Sequence, residues 1–200
     1  MTVSFLVGSI PTGVIVGSFY GTDIRKAGSG NIGATNALRV LGKKAAALTF
    51  LGDFLKGLIP ILLISKTYHS ITPNQALAAQ ATICVIIGHC FSPFLKGRGG
   101  KGIATSFGCF LLLTPIPALL CFVTFILTVW KTKFVSLGSL IASLVLSITV
   151  VMFYGGSNAQ WVIRAALGVT LLIFIKHQKN ILRLVRGEES RLSKKHSSTL

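Results

Sequence analysis

The sequence predicts an all-α fold: a polytopic integral membrane helical bundle of seven transmembrane helices, with the N-terminus outside and the C-terminus in the cytoplasm. Its composition, the lengths of its apolar runs and the placement of its basic residues lead to this prediction. Of the 200 residues, 52% are hydrophobic and 12% are charged, and the mean hydropathy is +0.75. An average soluble domain carries about 25% charged residues. This chain therefore has too few polar side chains to cover a water-soluble globule.

The charge balance is strongly basic. Twenty Lys or Arg residues stand against four Asp or Glu residues, and the formal net charge is +16. Such a balance can indicate nucleic-acid binding, but nucleic-acid domains carry their charge on a soluble scaffold, so we expect no nucleic-acid partner. The four carboxylates offer no acidic cluster for Mg²⁺ or Zn²⁺. We therefore expect neither a metal ion nor a cofactor.

Seven apolar runs, bounded by glycine, proline or charged residues, predict the helices. A spanning helix needs ~20 residues, within a range of about 17–25. The first, second, third and sixth runs reach that length, the seventh nearly does, and the fourth and fifth are short. The runs fall at about 3–20, 45–65, 77–94, 103–114, 117–130, 134–154 and 161–175.

The fourth and fifth runs leave two arrangements open. They are separated by Thr114-Pro115-Ile116-Pro117. Residues 103–130 form either two full spans, each borrowing length from its flanks, or one re-entrant hairpin. In both arrangements the chain enters and leaves on the same side of the membrane. We expect two spans here, which makes seven in all.

The basic residues gather on one predicted side of the membrane. All but three of the twenty lie in four segments on that side, and the exceptions are Lys56, Lys66 and Arg164. Cytoplasmic loops carry an excess of Lys and Arg, so this side is predicted to be cytoplasmic. The segments concerned are 21–44, 95–102, 131–133 and 176–200.

The two ends of the chain have different predicted fates. No basic residue precedes the first apolar run and no small-residue cleavage site follows it, so this run is predicted to be a retained helix. Residues 1–187 are predicted to form a single membrane-embedded domain. Residues 188–200 are polar and are predicted to form a flexible cytoplasmic tail.

The first basic segment contains a glycine-rich stretch that is typical of an anion site. Closely spaced glycines let backbone N–H groups converge on an anion. A helix is predicted to begin at Ala34, and the free N–H groups at a helix start favour phosphate. The alternative is a tight turn followed by an ordinary arginine. The candidate ligands are Gly28, Ser29, Gly30, Asn31, Gly33, Thr35, Asn36 and Arg39.

The second basic segment, Lys96-Gly-Arg-Gly-Gly-Lys-Gly102, has four glycines and three cations in seven residues. That mixture suits a phosphate held by backbone amides and a flexible ammonium group, and the alternative is a flexible basic linker. Both glycine segments match the literal G-x-G-x-x-G fingerprint of dinucleotide binding. That fingerprint is meaningful only inside a βαβ unit, and the flanking runs here have the length of membrane spans, so the match is a coincidence. The candidate ligands are Gly99, Gly100, Lys101 and Gly102.

The third basic segment opens the C-terminal region with an amphipathic pattern. His177, Asn180 and Arg183 recur at helical spacing on one face, and apolar residues occupy the other face. This pattern predicts a helix that continues the seventh span along the inner surface. The alternative is a basic interfacial helix on anionic lipid, with no part in catalysis.

Two further polar sites lie inside the apolar runs. Asp53 and Lys56 are three residues apart near the inner end of the second run. Charged residues there usually pair or face the bundle interior, so they are predicted to form a structural ion pair, with a substrate contact as the alternative. His89, near the inner end of the third run, is predicted to be a hydrogen-bonded core histidine.

Three stretches of the sequence together form a set of signatures. They read Gly28-Ser-Gly-Asn-Ile-Gly-Ala-Thr-Asn-x-x-Arg39, Gly99-Gly-Lys-Gly102 and His177-x-x-Asn180-x-x-Arg-Leu-x-x-Gly187-x-Glu189. They closely resemble the three cytoplasmic signatures of the bacterial acyl-phosphate:glycerol-3-phosphate acyltransferases. The motifs Gly8-Ser-Ile-Pro11, Asp53-Phe-Leu-Lys-Gly57 and Gly88-His89 match the same family. The departures are a short start, Ser92, Arg98 and a longer basic tail.

The resemblance implies a multi-pass enzyme of the bacterial inner membrane, with its active site facing the cytoplasm. Its substrates would be acyl phosphate and glycerol 3-phosphate and its product lysophosphatidic acid, and the reaction would be the first acylation of phospholipid synthesis. The resemblance also implies that a 99–102 loop binds glycerol 3-phosphate. It implies essential roles for Ser29 and Arg39, supporting roles for His177 and Asn180, and a structural role for Glu189.

The expected chemistry fits the residues available. An acyl phosphate has a good leaving group, so the enzyme needs two anion sites and a line of attack for the hydroxyl. Ser29 and Arg39 are predicted to bind the donor phosphate and Lys101 the glycerol 3-phosphate. The base is either His177 or the donor phosphate. We also expect contact with membrane lipid and with the enzyme that supplies acyl phosphate. The alternative function is a small anion or phospholipid transporter with basic cytoplasmic loops.

Overall fold

The computed structural model describes residues 1–67, 75–156 and 159–192. Throughout these residues the regular structure is helical, with ten α-helices, two short 3-10 turns and no strand. The turns are Ile24–Lys26 and Pro93–Leu95. The α-helices are α1 Thr2–Ser9, α2 Thr12–Phe19, α3 Ala34–Leu41, α4 Lys43–Thr67, α5 Gln75–Cys90, α6 Ile103–Leu113, α7 Pro115–Thr132, α8 Val135–Tyr154, α9 Gln160–Lys176 and α10 Gln178–Val185.

Long apolar helices dominate the part of the chain that the structure describes. Five segments are long and apolar enough to cross a membrane, and a sixth qualifies if α9 and α10 count as one bent span. Each of the seven predicted runs is mostly helical, but α6 has 11 residues, fewer than the ~20 that a straight span needs. The prediction of an all-helical membrane protein is confirmed. The five segments are Thr2–Phe19, Lys43–Ser65, Gln75–Leu95, Pro115–Thr132 and Val135–Tyr154.

The first predicted run is broken near its middle. Pro11 has no N–H group to donate, so α1 ends at Ser9 and α2 begins at Thr12. The carbonyl of Ile10, at the break, accepts a hydrogen bond of 2.8 Å from Lys56 Nζ on α4. A charged side chain of a neighbouring helix thus satisfies a backbone group that the proline break exposes.

The region between the fourth and fifth runs is a sharp corner. Thr114 ends α6 with an extended φ of −145°, and Pro115 begins α7. From this corner α6 packs chiefly against α4, whereas α7 packs chiefly against α8. The two short runs are therefore separate helices with different partners.

Small residues let two pairs of helices approach backbone to backbone. Gly8 and Gly88 lie between α1 and α5, and Gly57 and Gly108 lie between α4 and α6. A Cβ atom on any of the four would lie 2.0–2.2 Å from a backbone oxygen of the facing helix. Close approach at small residues is how helices associate in membranes, where apolar area alone gives no drive.

The outer surface of the bundle is apolar. Side chains such as Leu63, Trp130, Met152 and Leu171 are more than half exposed. The buried core, in contrast, contains mostly alanine, valine and isoleucine, chiefly from α5 and α9, and α6 adds Cys109, Phe110 and Leu113. Large exposed apolar patches mark a surface that contacts another apolar phase, and for this bundle that phase is lipid.

Candidate active site

A cavity of about 280 Å³ joins the three basic segments of the sequence. All five residues predicted to be catalytic line it, as do five of the nine predicted to bind substrate. Gly28, Gly30, Gly99 and Gly100 are not among the lining residues. The polar lining includes Ser29, Asn31, Gly33, Thr35, Asn36, Arg39, Lys101, Gly102, His177, Asn180, Arg183 and Glu189.

The same cavity continues into the apolar part of the bundle. Its lining on α8 runs from Val135 to Leu146, which at 1.5 Å per residue is roughly 16 Å. Aromatic side chains of α6 and α7 form the facing wall, among them Phe107, Phe110 and Phe122. A single cavity thus has a basic polar part and an apolar extension.

Asn36 holds the first glycine segment in shape. Its Oδ1 accepts a hydrogen bond of 2.8 Å from the Ser29 N–H, and its Nδ2 donates to the carbonyls of Ile24 and Ala27 at 3.1 and 3.0 Å. Gly28 has a φ of +60°, and a Cβ there would lie 2.3 Å from Asn36 Oδ1. The Asn36 amide therefore makes its hydrogen bonds within the segment, and these bonds hold the Ser29 backbone in place.

Helix α3 carries Arg39 toward the cavity. The helix begins after Gly33, whose N–H donates to Asn31 Oδ1 at 3.3 Å. Arg39 is exposed, and its Nη2 donates to the Ser190 carbonyl at 3.3 Å. This long hydrogen bond to a neutral oxygen is weaker than the bidentate bond that a phosphate would offer.

The second glycine segment folds back on the end of α5. The Gly99 N–H donates to the Cys90 carbonyl at 3.2 Å, and the Gly100 N–H donates to the His89 carbonyl at 3.0 Å. Both glycines were predicted to offer their amides to a phosphate, but these amides are engaged in the backbone. The two glycines therefore serve to bring the segment close to α5, and Lys101 and Gly102 reach the cavity.

His177 lies at a bend of 61° between α9 and α10. Its side chain is buried, and its Nδ1 lies 2.8 Å from the Ile173 carbonyl. Since a carbonyl only accepts hydrogen bonds, Nδ1 carries the hydrogen of the neutral ring. The Nε2 lone pair is then left to accept a hydrogen bond in the cavity.

A chain of polar groups connects Lys101 with Glu189. Lys101 Nζ donates to Asn180 Oδ1, and Asn180 Nδ2 donates to Glu189 Oε1 at 2.7 Å. Ser136 Oγ and Arg183 Nε also donate to the Glu189 carboxylate, each at 2.7 Å. The carboxylate therefore fixes which way the Asn180 amide faces.

Burial and neighbouring charges change the acidity of the two ends of this chain. Burial lowers the pKa of Lys101 to about 8, although the Glu189 carboxylate partly opposes the change. Burial alone would raise the pKa of Glu189, but hydrogen bonds from Ser136, Asn180 and Arg183 outweigh it and hold that pKa below its usual value. Near neutral pH, Lys101 is thus a cation and Glu189 an anion.

The beginning of the predicted flexible tail is in contact with the bundle. Besides the bonds of Glu189, the Leu192 N–H donates to the Lys133 carbonyl at 2.7 Å. The Arg191 guanidinium lies over the Phe134 ring, 5.4 Å from its centroid. Residues 193–200 of the predicted tail lie outside the described residues.

A buried ionic cluster adjoins the cavity. Asp53 and Lys56 form the predicted ion pair, with 2.8 Å between Nζ and Oδ1, and Thr12 Oγ1 donates to the same carboxylate. His89 Nδ1 lies 3.6 Å from Asp53 Oδ1. Both Asp53 and His89 line the cavity, whereas the sequence predicted for His89 only a place in the core.

Some lining residues were not singled out in the sequence. Ser136, Ser139 and Ser143 line the cavity from α8, and Ser147 continues the same stripe. Their helical spacing within an apolar run is a signal that could have identified a polar face. His89 carries no comparable signal, because one histidine in an apolar run is typical of a core position.

Comparisons with known proteins identify the family of this chain. A family model described as glycerol-3-phosphate acyltransferase matches residues 1–187. The glycerol-3-phosphate acyltransferase of Trichlorobacter lovleyi is 45% identical over 188 residues, which is 94% of this chain and 93% of the relative. That of Syntrophotalea carbinolica is 42% identical over 192 residues, which is 96% of this chain and 95% of the relative.

The fold also matches solved structures. The glycerol 3-phosphate form of PlsY (YgiH), described as an integral membrane glycerol 3-phosphate acyltransferase, is 34% identical, with a TM-score of 0.88. The alignment covers 96% of this chain and 93% of that chain. A lysophosphatidic acid form of PlsY gives a TM-score of 0.85 and covers 95% and 92% of the two chains.

Proposed function

The chain belongs to the glycerol-3-phosphate acyltransferase family, and we propose that it transfers a fatty acyl group from acyl phosphate to the 1-hydroxyl of glycerol 3-phosphate. The products are lysophosphatidic acid and inorganic phosphate. One observation carries the proposal: the cavity combines Arg39 and Lys101 with an apolar extension along α8. Such a cavity suits the two phosphates and the one acyl chain of the two substrates.

The donor phosphate is assigned to Ser29 and Arg39. The Ser29 turn is braced by Asn36, and Arg39 is held by one long hydrogen bond to the Ser190 carbonyl. A phosphate would replace this neutral oxygen with a charged, bidentate partner. The apolar extension between α6, α7 and α8 takes the acyl chain, so the reacting carbonyl lies where the polar and apolar linings meet.

Glycerol 3-phosphate is assigned to Lys101, with His177 and Asn180 as orienting groups. The Lys101 ammonium binds the phosphate, and the Asn180 amide is held in place by Glu189. The free Nε2 of His177 accepts a hydrogen bond from the attacking hydroxyl. Each of these groups acts by holding the acceptor near the acyl carbonyl, which converts an encounter into a positioned reaction.

We infer direct transfer, without an acyl-enzyme intermediate. The glycerol oxygen forms a bond with the carbonyl carbon, and the bond from that carbon to the phosphate oxygen breaks. His177 Nδ1 is held by a backbone carbonyl and not by a carboxylate, so an imidazolium has little support here. The departing phosphate is therefore the better final acceptor of the hydroxyl proton.

We propose the complete topology on the same grounds. Residues 1–187 form one domain of seven spans, with the N-terminus outside and a polar cytoplasmic tail from residue 188. The short helix α6 counts as the fourth span. The gathering of basic segments around one cavity supports a site that faces the cytoplasm. The location is then the bacterial inner membrane, with the enzyme that makes acyl phosphate as a partner.

An assay of the purified protein in lipid bilayers tests this function. It receives glycerol 3-phosphate with either acyl phosphate or acyl-CoA as the donor. We expect lysophosphatidic acid and an equal amount of phosphate from acyl phosphate alone. Product formation from acyl-CoA, but not from acyl phosphate, would refute the proposed donor.

A further inference from the structure

We propose that His89 is a positioning residue for the reaction: its imidazole supports the 99–101 loop and so sets the place of Lys101. The inference rests on the proposed function, in which Lys101 binds the acceptor phosphate. His89 is 4% exposed, lies next to the last residue of α5 and lines the cavity.

The backbone of the loop is fixed to the end of α5. The N–H groups of Gly99 and Gly100 donate to the carbonyls of Cys90 and His89. The Cys90 carbonyl also accepts a hydrogen bond of 2.9 Å from Lys176 Nζ. These bonds determine where the loop runs along α5. The distance between the loop and α4 is set instead by the side chains that lie between them.

The imidazole of His89 occupies the space beneath Gly100. A Cβ atom on Gly100 would lie 2.1 Å from His89 Nε2 and 2.6 Å from Cε1. These distances are far inside van der Waals contact, so the loop rests on the ring. Lys101 is the next residue, and its ammonium reaches Asn180 from that position. Any displacement of Gly100 therefore moves the proposed phosphate ligand.

The other side of the imidazole faces the buried ionic cluster. Asp53 Oδ1 lies 3.6 Å from His89 Nδ1 and 2.8 Å from Lys56 Nζ. Thr12 also donates to Asp53, so the carboxylate is tied to α2 and α4. Within the described residues His89 Nδ1 has no hydrogen-bond partner. The ring is thus confined between Asp53 and Gly100, which suits a spacer more than a base.

The two neighbouring glycines provide a matched pair for a test. A Cβ on Gly100 would collide with the His89 ring, whereas a Cβ on Gly99 would lie 2.0 Å from the His89 backbone carbonyl oxygen. Replacing His89 with alanine removes the first obstacle and leaves the second. Only Gly100→Ala should therefore be rescued by His89→Ala.

The experiment measures KM for glycerol 3-phosphate and for acyl phosphate in five variants. They are Gly100→Ala, Gly99→Ala, His89→Ala and the two double variants with His89→Ala. We expect Gly100→Ala to raise KM for glycerol 3-phosphate by about tenfold or more, because small displacements at a site are costly. In the His89→Ala background, the same substitution should change that KM by less than about twofold, as expected for a contact that no longer exists.

His89→Ala alone should raise KM for glycerol 3-phosphate and leave KM for acyl phosphate within about twofold, since it loosens only the acceptor loop. The proposal is overturned if Gly100→Ala costs as much with alanine at position 89 as with histidine. It is also overturned if His89→Ala changes both KM values equally, or if His89→Ala rescues Gly99→Ala as well.

Recovery of folded protein provides a second measurement. If Gly100→Ala does not fold, folded Gly100→Ala/His89→Ala supports the contact. Failure of this double variant, when His89→Ala alone folds, contradicts it. The wild-type assay distinguishes failure of the proposed function from failure of the His89 proposal. If the wild type transfers no acyl group from acyl phosphate, the proposed function fails, but the rescue of folding still tests the His89–Gly100 contact.

Discussion

Individual residues of the site owe their chemistry to the groups that surround them. The Asn180 amide shows this most clearly, because Glu189 takes its N–H and thereby turns its oxygen toward Lys101. Buried charge-assisted bonds of this kind are stronger than neutral ones. The Glu189 carboxylate also offsets part of the burial that lowers the pKa of Lys101. One carboxylate thus controls both the orientation of an amide and the protonation of an amine.

Arg39 gives a prediction for a single side chain. Arg39→Ala should lower kcat/KM about 10²–10³-fold, the usual effect of removing one preorganised donor from a site. Arg25→Ala is the matched control, since Arg25 pairs with Asp23 at 2.8 Å and does not line the cavity. Kinetics with both substrates varied will measure the effect. An Arg39→Ala enzyme as active as the Arg25→Ala enzyme would remove Arg39 from the site.

The pH dependence gives a prediction for Lys101. Its pKa is lowered to about 8, so the binding cation is present below that pH and is lost as the pH rises through it. We expect kcat/KM for glycerol 3-phosphate to fall above about pH 8, because kcat/KM reports ionisation of the free enzyme. In Glu189→Gln the fall should begin at lower pH, since the charge that favours the ammonium is gone.

Lys101→Arg is the control for this profile. A guanidinium remains charged throughout the accessible pH range, so the residual activity of this variant should show no fall near pH 8. If Lys101→Arg and the wild type lose activity over the same pH range, another group is responsible.

The helices explain which parts of the fold could be predicted from the sequence. Run length and flanking glycine, proline and charge predicted the seven segments that contain α1 and α2 together, α4, α5, α6, α7, α8 and α9. The amphipathic pattern predicted that a helix continues from His177 along the inner surface, but it did not predict the 61° angle of the bend, which brings α10 to Glu189. That bend depends on contacts between distant segments, and hydrophobic periodicity reports only local exposure. The sequence shows the proline at which the first run breaks, but it does not show that Lys56 donates a hydrogen bond to the carbonyl at that break.

Helix packing gives a prediction about stability. Gly57→Ala should lower the unfolding temperature, because its Cβ would lie 2.2 Å from the Thr105 carbonyl oxygen on α6. Overpacking of this kind costs about 1–3 kcal/mol. Gly168→Ala on α9 is the control: no atom lies within 4 Å of its Cβ, and alanine stabilises a helix by roughly 0.5–1 kcal/mol relative to glycine. Thermal unfolding in detergent should order the proteins Gly57→Ala, wild type, Gly168→Ala. The reverse order would contradict the backbone contact between α4 and α6.

The molecule as a whole separates an apolar outer surface from a basic group of segments around one cavity. The sequence predicted which segments meet, because their residue types suit the same anions. It could not predict which glycine amides remain free: Gly99 and Gly100 use theirs on α5, and Asn36 uses its side chain inside its own segment. Such assignments depend on hydrogen-bond partners, which only the folded chain reveals.

The proposed topology makes a prediction for the whole chain. In a variant that lacks the four native cysteines, Gly156→Cys should react with a membrane-impermeant maleimide added to intact spheroplasts. Lys131→Cys and Arg186→Cys should react only after the membrane is opened. All three positions are exposed, so accessibility differs only by side. Labelling of Lys131→Cys and Arg186→Cys, but not of Gly156→Cys, in intact spheroplasts would overturn the orientation.

The break at Pro11 also bears on the order of biogenesis. Helix α4 brings Asp53 and Lys56 into the membrane, and an uncompensated charge at a helix centre costs about 2.5–3.5 kcal/mol on translocon scales. The Ile10 carbonyl accepts the hydrogen bond of Lys56, and the Thr12 hydroxyl donates to Asp53. Ribosomes make Ile10 and Thr12 first, so these two groups precede Asp53 and Lys56 into the bilayer. The broken first hydrophobic segment thus offers hydrogen-bonding partners to both charged side chains of α4.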